Sequence, residues 1–183
     1  SARAGGALYN DDASLTLDSN LFELNIAKGG LSGALGAGTG VGGAIFNSVG
    51  GTLILTNGIF TTNSASDDGG AIQNYGTLGV TGTVFLNNSA GTDTRTGDTD
   101  DGRGGAIFND NGSVTITDTV ISSNSAFTDG GALYNDNITS AAITSSTLMS
   151  NTARRDGGAL YNGDTSVLTI LSTTLSNNVA DSD

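Results

Sequence analysis

The sequence predicts an all-β protein, a right-handed parallel β-helix (a solenoid) of about six coils with three short strands in each coil. Three observations carry this prediction. The phrase Gly-Gly-Ala, then Leu or Ile, one further residue and Asn occurs six times, at spacings of 26 to 37 residues. Apolar and polar residues alternate within each repeat, which is typical of short strands. No helical periodicity separates these strands, so the repeat indicates one unit stacked on copies of itself.

The first strand of each repeat is predicted around the Gly-Gly-Ala phrase, and it ends at an asparagine. The phrase begins at Gly5, Gly42, Gly69, Gly104, Gly130 and Gly157. Asparagine tolerates a left-handed backbone, and its amide can bond the equivalent amides of the coils above and below. We therefore predict that these asparagines close a turn and form a structural ladder: Asn10, Asn47, Asn74, Asn109, Asn135 and Asn162.

The second strand is predicted around two aliphatic residues that lie two positions apart. In the segment 113–117, Val114 and Ile116 point into the coil and the threonines between and after them point outward. Because the same position keeps the same character from coil to coil, like side chains can stack on like and fill a narrow core. A spacing of ~4.8 Å per coil makes six coils roughly 29 Å long.

The third strand is predicted to end in an apolar residue, two further residues and a second asparagine. The apolar residue is Phe in the first three repeats, and Ile121, Leu148 or Leu175 in the others. The asparagines predict a second structural ladder: Asn25, Asn63, Asn88, Asn124, Asn151 and Asn178. Outward aliphatic residues flank this strand in the first four coils and indicate a covered or interacting face: Leu21, Ile59, Val84 and Val120.

The length of 183 residues predicts one domain. Residues 1–4 have the phase of the end of a preceding coil, and residues 5–183 form a single β-helix domain. Its six repeats span 5–41, 42–68, 69–103, 104–129, 130–156 and 157–183. The basic coil has 26–27 residues, and the two longer repeats carry insertions at the same corner. Neither end shows a cap, which predicts either a segment of a longer array or ends that stack on other copies.

Composition excludes several classes of function. The chain has 18 acidic and 6 basic residues, and its net charge is −12. Such a surface repels phosphates and anionic membranes, so we expect no nucleic-acid partner. The absence of cysteine excludes disulfides and thiolate chemistry. No apolar run is long enough to span a membrane, so insertion is not expected.

The second insertion supplies candidate binding residues, because insertions on one edge of a solenoid often carry binding function. These residues are Asp98, Asp100, Asp101 and Arg103. Four more aspartates recur just before Gly-Gly at the same corner: Asp67, Asp68, Asp129 and Asp156. Oxygen-rich clusters can hold calcium. The spacing fits neither an EF-hand nor the Gly-Gly-x-Gly-x-Asp nonapeptide, so a solvated acidic edge and a tolerated surface loop are favoured, and no cofactor is predicted.

An aromatic row is predicted on the outer side of the first strand. It comprises Tyr9, Phe46, Phe108, Tyr134 and Tyr161, with Gln73 in the third coil. Aromatic faces can stack on sugar rings or on another subunit, which makes these five residues candidates for binding. Stacking of the rings on one another is the favoured alternative.

The two phrases together resemble the repeats of chlamydial polymorphic outer-membrane proteins and related bacterial autotransporter passengers. The resemblance covers residues 5–183, and the strict Phe-x-x-Asn form stands at Phe22, Phe60 and Phe85. It implies a right-handed β-helix that is secreted, displayed on the bacterial cell surface and adhesive or structural in role.

We therefore expect a non-enzymatic structural or adhesive protein of a bacterial surface or extracellular matrix. It would present corner loops and an outer face to other surface proteins, to glycans or to neighbouring subunits, and its ends could stack into filaments. A polysaccharide-binding or polysaccharide-degrading β-helix is the alternative, although without histidine only an Asp pair could serve as acid and base. Ice binding is less favoured, because the column Thr56, Thr81, Thr117 and Thr144 has an irregular neighbour.

Overall fold

In the computed structural model, the chain winds into a parallel β-helix of six coils, as the sequence predicted. The structure describes residues 3–29, 39–91, 102–137 and 139–181. Four sheets of six strands run along the axis, and their strands pair with the equivalent strands of neighbouring coils. A two-stranded sheet also joins Arg3–Ala4 to Gly40–Val41. In the described part of the chain, no helix is long and apolar enough to cross a membrane.

The sheets are numbered here in the order in which the chain enters them. Sheet I contains Leu8–Asn10, Ile45–Asn47, Ile72–Asn74, Ile107–Asp110, Leu133–Asp136 and Leu160–Asn162. Sheet II contains Ser14–Asp18, Thr52–Thr56, Thr77–Thr81, Ser113–Thr117, Ser140–Thr144 and Val167–Leu171. Sheet III contains Leu21–Glu23, Ile59–Thr61, Val84–Leu86, Val120–Ser122, Thr147–Met149 and Thr174–Ser176. Sheet IV contains Ile26–Ala27, Ser64–Ala65, Ser89–Ala90, Ser125–Ala126, Thr152–Ala153 and Val179–Ala180.

Each coil has four strands where the sequence predicted three. The residue directly before each asparagine of the second ladder has a positive φ, between 53° and 56° in all six coils. The backbone therefore bends at this residue, and a separate two-residue strand of sheet IV follows. The bend cannot be predicted from the sequence of the first two coils, because Leu24 and Thr62 occupy that position and neither residue type favours a left-handed backbone.

Columns of apolar side chains fill the coil, and like residues meet in register as predicted. Leu53 pairs with Leu78, and both are at most 1% exposed. The rings of Phe22, Phe60 and Phe85 stack with centroids 4.7 and 4.9 Å apart. This direct contact between identical side chains gives the narrow core close packing.

The two glycines of the repeated phrase have different tasks, as the third coil shows. Gly69 has a φ of +67°, which a residue with a side chain rarely adopts. Gly70 lies against backbone on two sides, because a Cβ there would overlap the carbonyl oxygen of Gly105 and come within 2.7 Å of Ser89. The first glycine turns the chain, and the second lets backbone segments approach one another.

Candidate binding surfaces

An unbroken ladder of asparagine amides runs along the corner after sheet I. From Asn10 to Asn162, each Nδ2 donates to the Oδ1 of the next coil's asparagine at 2.6–2.7 Å. The same nitrogens also donate to carbonyl groups of the turn, as Asn47 does to Gly51 at 3.2 Å. Because these amides bond one another and their own turns, the ladder's role is structural.

The second asparagine ladder lies between sheets III and IV. The backbone nitrogen and the Nδ2 of Asn63 both donate to Oδ1 of Asn88, at 3.0 and 2.9 Å. Asn88 bonds Asn124 in the same way, with both distances 2.9 Å. Its Nδ2 also donates to the carbonyl oxygen of Phe60 in the preceding coil. Each of the four central asparagines of this ladder therefore joins three coils.

A third ladder, made of hydroxyl groups, lies between sheets II and III and was missed in the sequence. The backbone nitrogen of Thr83 donates to Oγ1 of Thr119 at 3.4 Å, and that of Thr119 donates to Oγ of Ser146 at 3.1 Å. Each hydroxyl donates in turn to the carbonyl group two residues before it, as Thr119 does to Thr117 at 2.8 Å. The signal that could have revealed this ladder is a Thr or Ser directly before the third strand in the last four coils.

The carboxylates before Gly-Gly are buried, so the expectation of a solvated acidic edge was wrong for Asp67, Asp68 and Asp129. These residues are 2%, 6% and 2% exposed. Asp68 accepts hydrogen bonds from the backbone nitrogen and the guanidinium of Arg103, the shortest at 2.8 Å. Burial raises the pKa of Asp68, and the hydrogen bonds and charge of Arg103 offset part of that rise.

A second arginine binds the equivalent carboxylate two coils further on. Asp129 accepts a bond from Nη2 of Arg155 at 2.8 Å and another from the backbone nitrogen of Asp156 at 3.0 Å. These two ion pairs thus join neighbouring coils. Of the predicted binding residues of the second insertion, Arg103 contributes to this packing. The other three, Asp98, Asp100 and Asp101, lie outside the described residues.

The aromatic row stacks along sheet I, and its rings lie nearly parallel within each contact. Tyr9 and Phe46 have centroids 4.9 Å apart, Phe108 and Tyr134 5.0 Å, and Tyr134 and Tyr161 4.7 Å. The interplanar angles are 10° or less. Mutual stacking, the favoured alternative, therefore accounts for this part of the row.

The first ring of the aromatic row is exposed to solvent and the rings in the middle are buried, whereas the sequence predicted an outward row throughout. Tyr9 is 53% exposed, but Phe108 and Tyr134 are 2% and 5% exposed. The guanidinium of Arg103 lies over both of these rings, 5.1 and 5.3 Å from their centroids. A cation over an aromatic face is an attractive contact. Arg103 therefore covers two of the candidate binding residues.

The outward strand positions of sheets II and III carry no charge in coils two to six, although the exposed Asp118 stands at the turn between the two sheets in the fourth coil. One outward column consists of Thr56, Thr81, Thr117, Thr144 and Leu171. Another contains Ile59 and Val120, which are 45% and 38% exposed. The first coil differs, because Asp18 and Glu23 stand at outward positions there. We call this surface of coils two to six the uncharged face.

Comparison with known proteins matches the repeats rather than a pocket. Residues 57–75 and 82–110 match the Chlamydia polymorphic membrane protein repeat. Each matched stretch includes the third strand of one coil and the first strand of the next. The chain is also 40% identical, over 94 residues and 48% of its length, to the Probable autotransporter YfaL of Escherichia coli (strain K12).

The chain spans 7% of the length of that curated relative. No solved structure matches the chain. The similarity therefore concerns one repeated architecture, that of bacterial surface-exposed β-helix repeats.

Proposed function

We propose that this autotransporter-like β-helix repeat protein of the bacterial surface is a non-enzymatic structural or adhesive rod, which docks neighbouring subunits through its uncharged face. The observation that carries the proposal is the segregation of charge. The whole chain has a net charge of −12. Yet no outward strand position of sheets II and III bears a charge in coils two to six.

The net negative charge of the chain indicates which partner binds the uncharged face. Two copies of an acidic chain repel each other at most orientations, and the repulsion is smallest where each copy presents the fewest charges. Two sheets can then pack face to face at ~10 Å with their side chains interdigitated. The exposed aliphatic residues Ile59 and Val120 would be removed from water in that contact. A second copy of the chain is therefore the partner we assign to the face.

Rigidity supports the role of a rod. Three ladders of side-chain hydrogen bonds join successive coils, and the core side chains stack on their equivalents. A surface held in this way presents the same geometry along its length, with outward residues repeated at ~4.8 Å. Such a periodic surface suits contacts that are repeated from coil to coil.

The carboxylates of the corner support a role without catalysis. A glycosidase needs two carboxyl groups that are free to act as acid and as base or nucleophile. Asp68 and Asp129 are each bonded to an arginine and to a backbone nitrogen. The ice-binding alternative needs a flat face, but Ile54 stands beside Gly79 in the central outward column of sheet II.

The test is the double substitution Ile59→Asp/Val120→Asp, which places two charges on the uncharged face. Sedimentation velocity over a range of concentrations measures self-association, and we expect it to weaken at least tenfold. Ser64→Asp/Ser125→Asp is the matched control, because it adds the same charge on the outer side of sheet IV. A wild-type chain that stays monomeric at high concentration, or equal weakening by both variants, would refute the proposal.

A further inference from the structure

The aromatic row is interrupted in the third coil by Gln73. This residue pairs in register with Phe46 on one side and Phe108 on the other. The five other coils have Tyr or Phe at the same position. Gln73 is also the single glutamine of the chain. The interruption therefore replaces a stacking ring with an amide at one defined point of the row.

The amide of Gln73 is buried without hydrogen bonds. The residue is 0% exposed, and neither its Nε2 nor its Oε1 has a hydrogen-bond partner. A buried amide without partners destabilises a protein, and most buried polar groups avoid this state. An aromatic residue at this position would remove the penalty and complete the row. Stability alone therefore does not account for glutamine here.

The ring of Tyr75 lies beside Gln73, in the gap between Phe46 and Phe108. Its ring centroid lies 5.6 Å from that of Phe46 and 6.5 Å from that of Phe108. The ring planes are inclined by 52° and 67°, in contrast to the parallel stacking elsewhere in the row. Burial raises the pKa of the Tyr75 phenol, and a polar contact with Gln73 that lacks hydrogen-bond geometry offsets part of that rise. Tyr75 thus lies between two rings without stacking on either.

An open groove of about 380 Å³ adjoins Tyr75. Glycines form part of its wall, including Gly51 and Gly76. Gly76 has no space for a Cβ, which would overlap the carbonyl oxygen of Gly51. The groove therefore remains open because the backbone of neighbouring coils is packed beneath it. A rotation of Tyr75 into the groove would uncover Gln73.

We propose that Tyr75 is a displaceable plug and that the slot beneath it, with Phe46 and Phe108 as walls and Gln73 as floor, binds one neutral pyranose ring of a glycan. The walls are two coils apart, ~9.6 Å. The ring of Tyr75 lies 5.6 and 6.5 Å from the two rings, so a saturated ring of similar width fits in its place, against the outer parts of Phe46 and Phe108 and above the amide. The amide offers a donor and an acceptor, which match the hydroxyl groups of a sugar.

Charge restricts the ligand to neutral sugars. The negative charges of Asp110 and Asp68 act on Tyr75, the positive charge of Arg103, which is paired with Asp68, offsets part of them, and the whole chain is acidic. Uronates and other anionic sugars would be repelled from this site. The slot lies on sheet I, so the proposal does not depend on docking through the uncharged face of sheets II and III.

The single glutamine makes the test specific. A chain labelled with ¹⁵N-glutamine gives one side-chain amide signal, and this signal comes from the floor of the slot. We would titrate it with methyl β-D-glucopyranoside, methyl β-D-galactopyranoside and, as the anionic counterpart, glucuronate. We expect the neutral glycosides to shift the signal of the wild-type chain and glucuronate to leave it unchanged.

Removal of the plug should strengthen binding, because the ligand no longer has to displace Tyr75. Apparent affinity scales with the fraction of open protein, so Tyr75→Ser should bind at least tenfold more tightly than the wild type. Phe127→Ser truncates an aromatic residue at a distant corner and should bind as the wild type does. Gln73→Phe/Tyr75→Ser restores the aromatic residue of the other coils and should lose binding at least tenfold relative to Tyr75→Ser.

Three results would overturn the proposal. The first is an unchanged Gln73 signal in both the wild type and Tyr75→Ser at the highest glycoside concentration. The second is equal affinity of these two proteins. The third is a shift with p-cresol but not with the glycosides, which would assign the slot to aromatic ligands. Because the wild-type titration needs no substitution, the test stands even if a variant does not fold.

Discussion

Substitution of Asn124 by alanine tests how much the second asparagine ladder contributes to stability. The side chain is fully buried. Its Oδ1 accepts bonds from the backbone nitrogen and the Nδ2 of Asn88, both at 2.9 Å. Its Nδ2 donates to Oδ1 of Asn151 at 3.0 Å and to the carbonyl oxygens of Phe85 and Ser122 at 3.2 and 3.0 Å. Alanine removes all of these bonds.

The cost follows from the groups that are left behind. Both donors of Asn88 lose the acceptor on Asn124, although Nδ2 keeps its bond to Phe60. A buried group that loses its partner costs about 1–3 kcal/mol, and a small cavity adds to this. We therefore expect Asn124→Ala to lower the free energy of unfolding by about 3–5 kcal/mol. This is at the upper end of single-substitution effects.

The assay is urea denaturation followed by circular dichroism, together with hydrogen exchange, because coils of a solenoid need not unfold in one step. Ser125→Ala is the matched control. It changes the next residue along the chain, whose side chain is exposed on sheet IV, and should alter stability by no more than about 0.5 kcal/mol. If Asn124→Ala costs less than about 1 kcal/mol, the reasoning about the ladder is refuted.

Two further substitutions test the corner and the glycines. Arg103→Ala should cost about 2–4 kcal/mol at neutral pH, because the buried carboxylate of Asp68 loses its charged partner. The pKa of Asp68 should then rise further, so the folded state binds a proton more readily than the unfolded state. The deficit in urea titrations should therefore shrink as the pH falls toward 3.8, and a growing deficit would contradict this. Gly76→Ala should cost about 1–3 kcal/mol because its Cβ would overlap the carbonyl oxygen of Gly51, whereas Gly79→Ala meets one flexible side chain and should be neutral or slightly stabilising. Thermal midpoints in the reverse order would show that the backbone relaxes easily at Gly76.

The sequence predicted the coil because stacking makes the same demand at the same position of every coil. Six copies of the Gly-Gly-Ala phrase and of the paired aliphatic residues set the register without reference to any single contact. The bend before sheet IV was harder to predict. It requires a positive φ but imposes no residue type, and Leu24 and Ser123 both adopt it. A conformational demand that several residue types can meet leaves little trace in a sequence.

The surface was predicted less completely, because its contacts join residues far apart in the sequence. Arg103 lies 35 residues from Asp68, and only the winding of the coil brings the guanidinium onto that carboxylate and over the rings of Phe108 and Tyr134. The row of aromatic residues could be predicted from the repeats. Whether a ring is exposed or covered could not be predicted, because it depends on the position of Arg103, the last residue of the second insertion.

Some residues that differ from the repeat are stabilised by a partner in a neighbouring coil, and others have no such partner. Arg103 stands where three other coils have an aspartate, and its charge is balanced by Asp68 in the adjacent coil. Gln73 stands where five coils have an aromatic residue, and its amide has no hydrogen-bond partner. In a structure where local choices otherwise agree, an uncompensated departure is expected at a functional site. The ion pair with Asp68 accounts for the presence of Arg103 at this corner. The amide of Gln73 has no such partner, so the third coil is where we expect a ligand to bind.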